Sequence, residues 1–180
     1  MQDLNFKERA IIKFQLGREP HNLMGIARYC PFDKPAVIIT NPYSKEYGVF
    51  PTTYWLSCPY LVKQVARLED KGIICELSER LQYDTEFNKK MEQAHDKYCK
   101  HRMELLNNNS SEKAADISSD IIKVLQESGV GGIRDKRGIK CLHTHLADYL
   151  VNGQNPVGKL VWEKLDWPEK CNICFLDQYE

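Results

Sequence analysis

Pro51-Thr52-Thr53-Tyr54-Trp55-Leu56-Ser57-Cys58-Pro59-Tyr60-Leu61-Val62 decides how this chain folds. The first half is rich in β-branched and aromatic residues, which suit a pleated, half-buried strand. Pro59 then follows Ser57-Cys58, and proline is favoured in the first turn of a helix. Leu61, Val62, Val65 and Leu68 supply an apolar helical face, and Gly72 is a stop signal. A strand that runs straight into a helix points to an α+β domain.

Working outward, Gly25 to Cys30 and Ala36 to Thr40 read as two further strands. Pro31, Pro35, Pro42 and Pro51 bracket them, and a polar turn covers Ser44 to Gly48. The last two strands are expected to form an antiparallel hairpin. Asp3 is placed to cap a helix from Leu4 to Leu16, with Gly17 as its stop and Pro20 just beyond. Downstream, Asp84 to Leu105 reads as a long helix with Phe87, Met91, Ala94 and Tyr98 as its buried stripe. Its many charges are expected to be solvated. Asn107 to Ser111 is a loop, and helices follow over 117–128, 141–151 and 157–165. Trp167-Pro168 opens a tail carrying Cys171-Asn172-Ile173-Cys174. The expectation is a single α+β domain over residues 1–168, mainly helical around a small antiparallel sheet, with a tail over 169–180.

The 180 residues suffice for one core without staples. A net charge of zero removes any global argument for nucleic acid or an anionic membrane, so anion binding must be local. Met1 to Arg9 lacks the apolar core of a signal peptide, and no run reaches membrane-spanning length. A cytoplasmic protein is expected. There, seven cysteines are poor disulfide candidates, which leaves metal ligation or simple burial.

Chemistry concentrates in Gly129-Val130-Gly131-Gly132-Ile133-Arg134-Asp135-Lys136-Arg137-Gly138-Ile139-Lys140-Cys141-Leu142-His143-Thr144-His145. Glycines 129, 131 and 132 permit close backbone approach, and Arg134 to Lys140 precede a helix start. Together they suit a phosphate or carboxylate. Cys30 and Cys58 each precede a proline at the end of a strand, and Cys141 sits at a loop-to-helix junction, where a thiol ionises readily. Three such thiolates with His143 or His145 would make a Cys3His zinc site or hold an iron–sulfur cluster. In a helix Cys141 shares a face with His145, and His143 points away unless Cys141 precedes the first turn. Cys75 and Cys99 are expected to be structural. Cys171 and Cys174 have metal or redox spacing, but a pair is only half a site.

Gln15-Leu16-Gly17-Arg18, Arg28-Tyr29-Cys30-Pro31, Phe50 to Pro59, Gly131-Gly132-Ile133 and Ile139-Lys140-Cys141-Leu142-His143 occur in order. Together they resemble the bacterial family known as domain of unknown function 501, over about residues 14 to 160. The resemblance implies a bacterial cytosolic protein without an established activity. It carries over Arg18, Cys30, Cys58, Lys140, Cys141 and His143. Members are often encoded beside a septum-formation protein and an exopolyphosphatase.

The leading expectation is a protein binding zinc or an iron–sulfur cluster through Cys30, Cys58, Cys141 and His143 or His145. Arg18, Gly131, Gly132, Arg134 and Lys140 are the anion-binding candidates. If catalytic, it would perform metal-assisted hydrolysis of a phosphorylated or nucleotide-like small molecule. The non-metal alternative is a Cys141 nucleophile activated by the helix end and His145. The rival of another class is a non-catalytic interaction protein linked to cell division or polyphosphate metabolism.

Overall fold

The computed structural model describes residues 4–108 and 117–175. Helix α1 (Phe6–Leu16) starts at Asn5, whose side chain accepts from the Glu8 N–H while the Glu8 carboxylate accepts from the Asn5 N–H. This reciprocal capping box, two residues on from the expected Asp3, supplies acceptors to two of the free N–H groups at that end. Asp3 lies outside the described residues. Gly17 closes α1 in the left-handed conformation, as its sequence position suggested.

Strands β1 (Leu23–Tyr29), β2 (Pro35–Thr40) and β5 (Tyr54–Leu56) form an antiparallel sheet in the order β1-β2-β5. Val37 pairs with Leu56 and Ile39 with Tyr54. Central β2 is buried along nearly its whole length, which explains its continuous apolar run rather than an alternation. The polar turn between β2 and β5 holds a further two-residue hairpin, β3 (Tyr43–Ser44) with β4 (Gly48–Val49).

Helix α2 (Pro59–Asp70) follows the sheet, with Cys58 as N-cap and Pro59 in the first turn. Gly72 does not end the helical region. It takes a positive φ and starts α3 (Ile73–Tyr83), an element missing from the sequence reading because glycine was taken only as a stop. Then come α4 (Thr85–Asn107), α5 (Ser119–Glu127), α6 (Leu142–Asn152) and α7 (Pro156–Trp162). The fold is thus α+β, mainly helical around a small antiparallel sheet. No helix among the described residues is long and apolar enough to cross a membrane.

The expected stripe of α4 is buried, with Met91 and Tyr98 almost fully enclosed. The Tyr98 hydroxyl accepts the N–H groups of Thr53 and Tyr54, 2.7 and 3.2 Å away, tying α4 to the entry of β5. The charges on its other faces are exposed, as expected, but two polar members of the buried face, His95 and Arg102, are fully enclosed. The Arg102 guanidinium donates to the carbonyls of Leu125, Ser128 and Gly129 and to the Ser128 hydroxyl, at 2.6 to 3.0 Å. Cys75, expected beside the core, is exposed on α3. Cys99 is half-buried and donates to the Gln126 carbonyl.

His95 Nδ1 accepts the Val130 N–H at 3.0 Å, so its Nε2 carries the hydrogen that faces the Lys136 carbonyl at 3.2 Å. Protonating Nδ1 would break the first bond. Burial lowers the ring's pKa to about 4, outweighing the Lys136 carbonyl, which favours the protonated ring. The unfolded chain therefore takes up a proton that the folded one refuses, and stability falls as pH drops from about 6.5 to about 4. The loss attributable to His95 should approach about 3 kcal/mol at the acid end. Urea midpoints measured across this window should fall steadily for the native chain and more shallowly for His95→Gln. Separately, Arg102→Met should cost about 3 kcal/mol or more, because several buried carbonyls lose their donors together.

Candidate metal centre

Three polar side chains meet where α2 ends and α6 begins. Cys141 is the N-cap of α6 in extended conformation, so it precedes the first turn. That backbone turn lets Cys141 and His143 face the same point. Glu69, from the last turn of α2, completes the group: one ligand atom from each of Glu69, Cys141 and His143 lies within 4.8 Å of the others, and all three are half-buried.

Glu69 Oε1 accepts the Leu142 N–H at 2.6 Å, placing a carboxylate at the positive end of α6. His143 Nδ1 lies 3.2 Å from the same oxygen, and its Nε2 lies 3.2 Å from the Val62 carbonyl. Both ring nitrogens thus face acceptors. An imidazolium satisfies both. So does a neutral ring that donates its Nε2 hydrogen to Val62 and turns its Nδ1 lone pair toward a cation shared with Glu69 and Cys141.

Burial pushes the Cys141 thiol up, but the polar contacts of His143 and Thr144 outweigh it and leave the thiol below its ordinary value. For His143 burial pulls the other way, and the neighbouring Cys141 sulfur, Glu69 carboxylate and Val62 carbonyl bring it above its ordinary value. The pair therefore leans toward thiolate and imidazolium. A cavity of about 690 Å³, counting its open mouth, adjoins the pair and is lined by Thr52, Trp55, Leu56, Val62, Lys140 and Thr144.

The other expected residues fall elsewhere. Cys30 and Cys58 line a separate cavity, and among the described residues no trio containing Cys30, Cys58 and Cys141 closes to 4.8 Å. The chain brings Cys30 and Cys58 to one end of α2 and Cys141 to the other side, so the three sulfurs do not line one cavity. His145 is fully buried and points into the helix packing, with Nδ1 beside Asn155, its ring 6.5 Å from that of His95, and Nε2 without a partner. Burial lowers its pKa to about 3. Lys140 does line the Cys141 cavity, its Nζ donating to the Gly131 carbonyl at 2.8 Å. Arg134 instead borders a cavity beside α5. Arg18 stacks over Trp55 in a third one. Lys136 and Arg137 pair with Asp96 and Asp135.

The glycines serve packing. A Cβ on Gly129 would stand 2.3 Å from His95, one on Gly131 2.7 Å from Thr144, and one on Gly132 2.5 Å from Pro51. The segment is pressed between α4, α6 and the sheet rather than open to solvent. Glu69 was missed by sequence reasoning: on α2 it reads as one more surface charge. Its signal was position, seven residues after Val62, about two helical turns along the same face.

The profile of a family described as protein of unknown function (DUF501) matches residues 26–163. The chain belongs to that family. The DUF501 span contains Cys30, Cys58, Glu69, Cys141 and His143, and it leaves Arg18, Cys171 and Cys174 outside. No curated protein and no solved structure matches the chain.

The packing role of the loop predicts a contrast. Gly129→Ala should cost about 2 kcal/mol or more, since His95 is held by two hydrogen bonds and cannot retreat freely. Gly138→Ala, whose Cβ would meet nothing closer than 3.8 Å, should change the denaturation midpoint little.

Proposed function

We propose that this DUF501 protein is a metal-dependent hydrolase of a phosphorylated or nucleotide-like small molecule, with Glu69, Cys141 and His143 as the metal ligands. The observation that carries the reading is the convergence of a carboxylate, a thiol and an imidazole within 4.8 Å beside a cavity. A borderline-soft ion such as zinc accepts all three donor types, and catalytic zinc sites use three protein ligands and leave a position for water or substrate. The Val62 carbonyl then acts as the outer partner that fixes the His143 tautomer. Such an ion supplies a nucleophilic hydroxide and polarises a phosphoryl oxygen. Lys140, at the rim, attracts the anionic group, and Trp55, Leu56 and Val62 offer an apolar wall to a base or similar ring.

A second reading rests on a specific observation, the approach of the Cys141 sulfur and the His143 ring to within 4.8 Å with Glu69 3.2 Å from His143 Nδ1. That arrangement equally suits a thiolate nucleophile oriented by His143 rather than by His145. The interaction-protein reading is what remains if neither metal nor thiol chemistry is found.

The test is hydrolysis of a panel of phosphomonoesters and nucleoside phosphates by zinc-loaded and chelator-stripped protein. Zinc-dependent turnover, lost in His143→Ala along with at least about ten-fold of the zinc affinity, is the expected result. Lys140→Ala should raise KM and leave zinc content unchanged. Turnover that survives the chelator but stops on alkylation of Cys141 would replace the metal reading with the nucleophile.

A further inference from the structure

Four cysteines from three separate parts of the chain line one cavity at the N-terminus of α2. Cys30 belongs to the turn joining β1 to β2, Cys58 is the N-cap of α2, and Cys171 and Cys174 lie in the C-terminal turn. We propose that Cys30, Cys58, Cys171 and Cys174 form a tetrathiolate centre for a thiophilic metal, zinc or iron, separate from the Glu69–Cys141–His143 group.

The donor set selects the metal class. Four sulfurs without a carboxylate favour zinc or iron–sulfur chemistry over hard cations. Cys171-x-x-Cys174 has the bite of a structural metal knuckle, and Cys30 and Cys58 supply the other half. All seven cysteines are free thiols, so none of the four is spent in a disulfide.

Burial raises the Cys58 and Cys174 thiols above their ordinary value, while a few fixed donors point at the sulfurs. The N–H groups of Tyr60 and Leu61, at the start of α2, favour the ionised form of Cys58, although no full capping bond closes. Gln15 Nε2 lies 3.3 Å from the Cys174 sulfur and also donates to the Pro35 carbonyl at 2.7 Å, which holds it in place. Such outer donors typically orient metal-bound ligands. Against them stands burial: Cys58 and Cys174 are each only 6% exposed, and burial pushes the Cys58 thiol up to about 11. An uncharged thiol gains little from these donors. A bound cation makes the sulfur a thiolate and removes the mismatch.

Phe32, Trp167 and Phe175 wall the cavity and limit access of water. Lys34 Nζ lies 4.7 Å from the centre of the Phe175 ring, a contact between the β1–β2 turn and the tail. Among the described residues no three of the sulfurs lie within 4.8 Å of one another. Zinc, with edges of about 3.8 Å, would require the Cys171–Cys174 turn to move inward. An iron–sulfur cluster accepts the wider spacing. This centre also accounts for the tail pair, which lies beyond the matched family span.

The experiment is elemental and sulfide analysis of the full chain purified without oxygen or chelators. The native protein, Cys141→Ser and the double variant Cys171→Ser/Cys174→Ser are compared, with circular dichroism confirming the fold. The expected result is that the double variant loses about one metal centre that Cys141→Ser keeps, with an all-sulfur first shell by X-ray absorption. Zinc alone identifies a mononuclear site, and iron with sulfide identifies a cluster. If the double variant does not fold, adding Cys171→Ser to the Cys141→Ser protein should weaken the sulfur-to-cobalt absorption of its cobalt-loaded form by about a quarter, one thiolate in four. Unchanged metal in the double variant, disulfides among these four cysteines in the anaerobic protein, or loss of metal only in Cys141→Ser would overturn this centre. The last of these would leave the Glu69–Cys141–His143 reading standing.

Discussion

A buried guanidinium organises the half of the molecule that carries the chemistry. Arg102 sits inside the protein on α4 and spends its donors on backbone carbonyls at the end of α5 and on the glycine segment. Its Nε has no partner, and the Tyr98 ring lies 5.3 Å from its centre. Burial disfavours the charged form and lowers its pKa, so the carbonyl dipoles and the ring face must stabilise the cation. Holding Ser128 and Gly129 in this way presents Val130 to His95 and the Gly131 carbonyl to Lys140 and Thr52. The start of α6 is then packed against a fixed backbone rather than a loose loop.

Much of this was legible in the sequence, and the exceptions share a cause. Proline brackets, β-branched runs and a single apolar stripe located the sheet, α2, α4 and α6. The α4 stripe, however, was read from apolar residues alone. His95 follows Met91 by four residues and Arg102 follows Tyr98 by four, so both lie on the buried face by spacing. Polarity argued them outward, and tertiary hydrogen bonds overrode it. Helix α3 was lost for a different reason, because Gly72 closes α2 and at once begins the next helix.

The candidate centre was half legible. Cys141 and His143 are two residues apart and stay together, because the N-cap position rotates Cys141 off the helical progression. Glu69 and the separation of Cys30 and Cys58 from Cys141 depend on how α2 packs against α6, which no local spacing records. Glycine was likewise ambiguous. Three glycines near a basic run suit an anion or a tight packing contact equally, and only the neighbours His95, Thr144 and Pro51 distinguish the two.

Helix α2 acts as a ruler. Val62 and Glu69 hold the two nitrogens of one imidazole from positions two turns apart, while Cys58 faces the sulfur-lined cavity from the first turn. One residue inserted or deleted between Val62 and Glu69 would swing the carboxylate by about 100° and shift it by about 1.5 Å. The His143 ring would keep one anchor and lose the other, with Cys58 undisturbed. The length of this helix is therefore as strictly constrained as the identity of the side chains it carries, and a family tolerant of loop insertions should not tolerate one here.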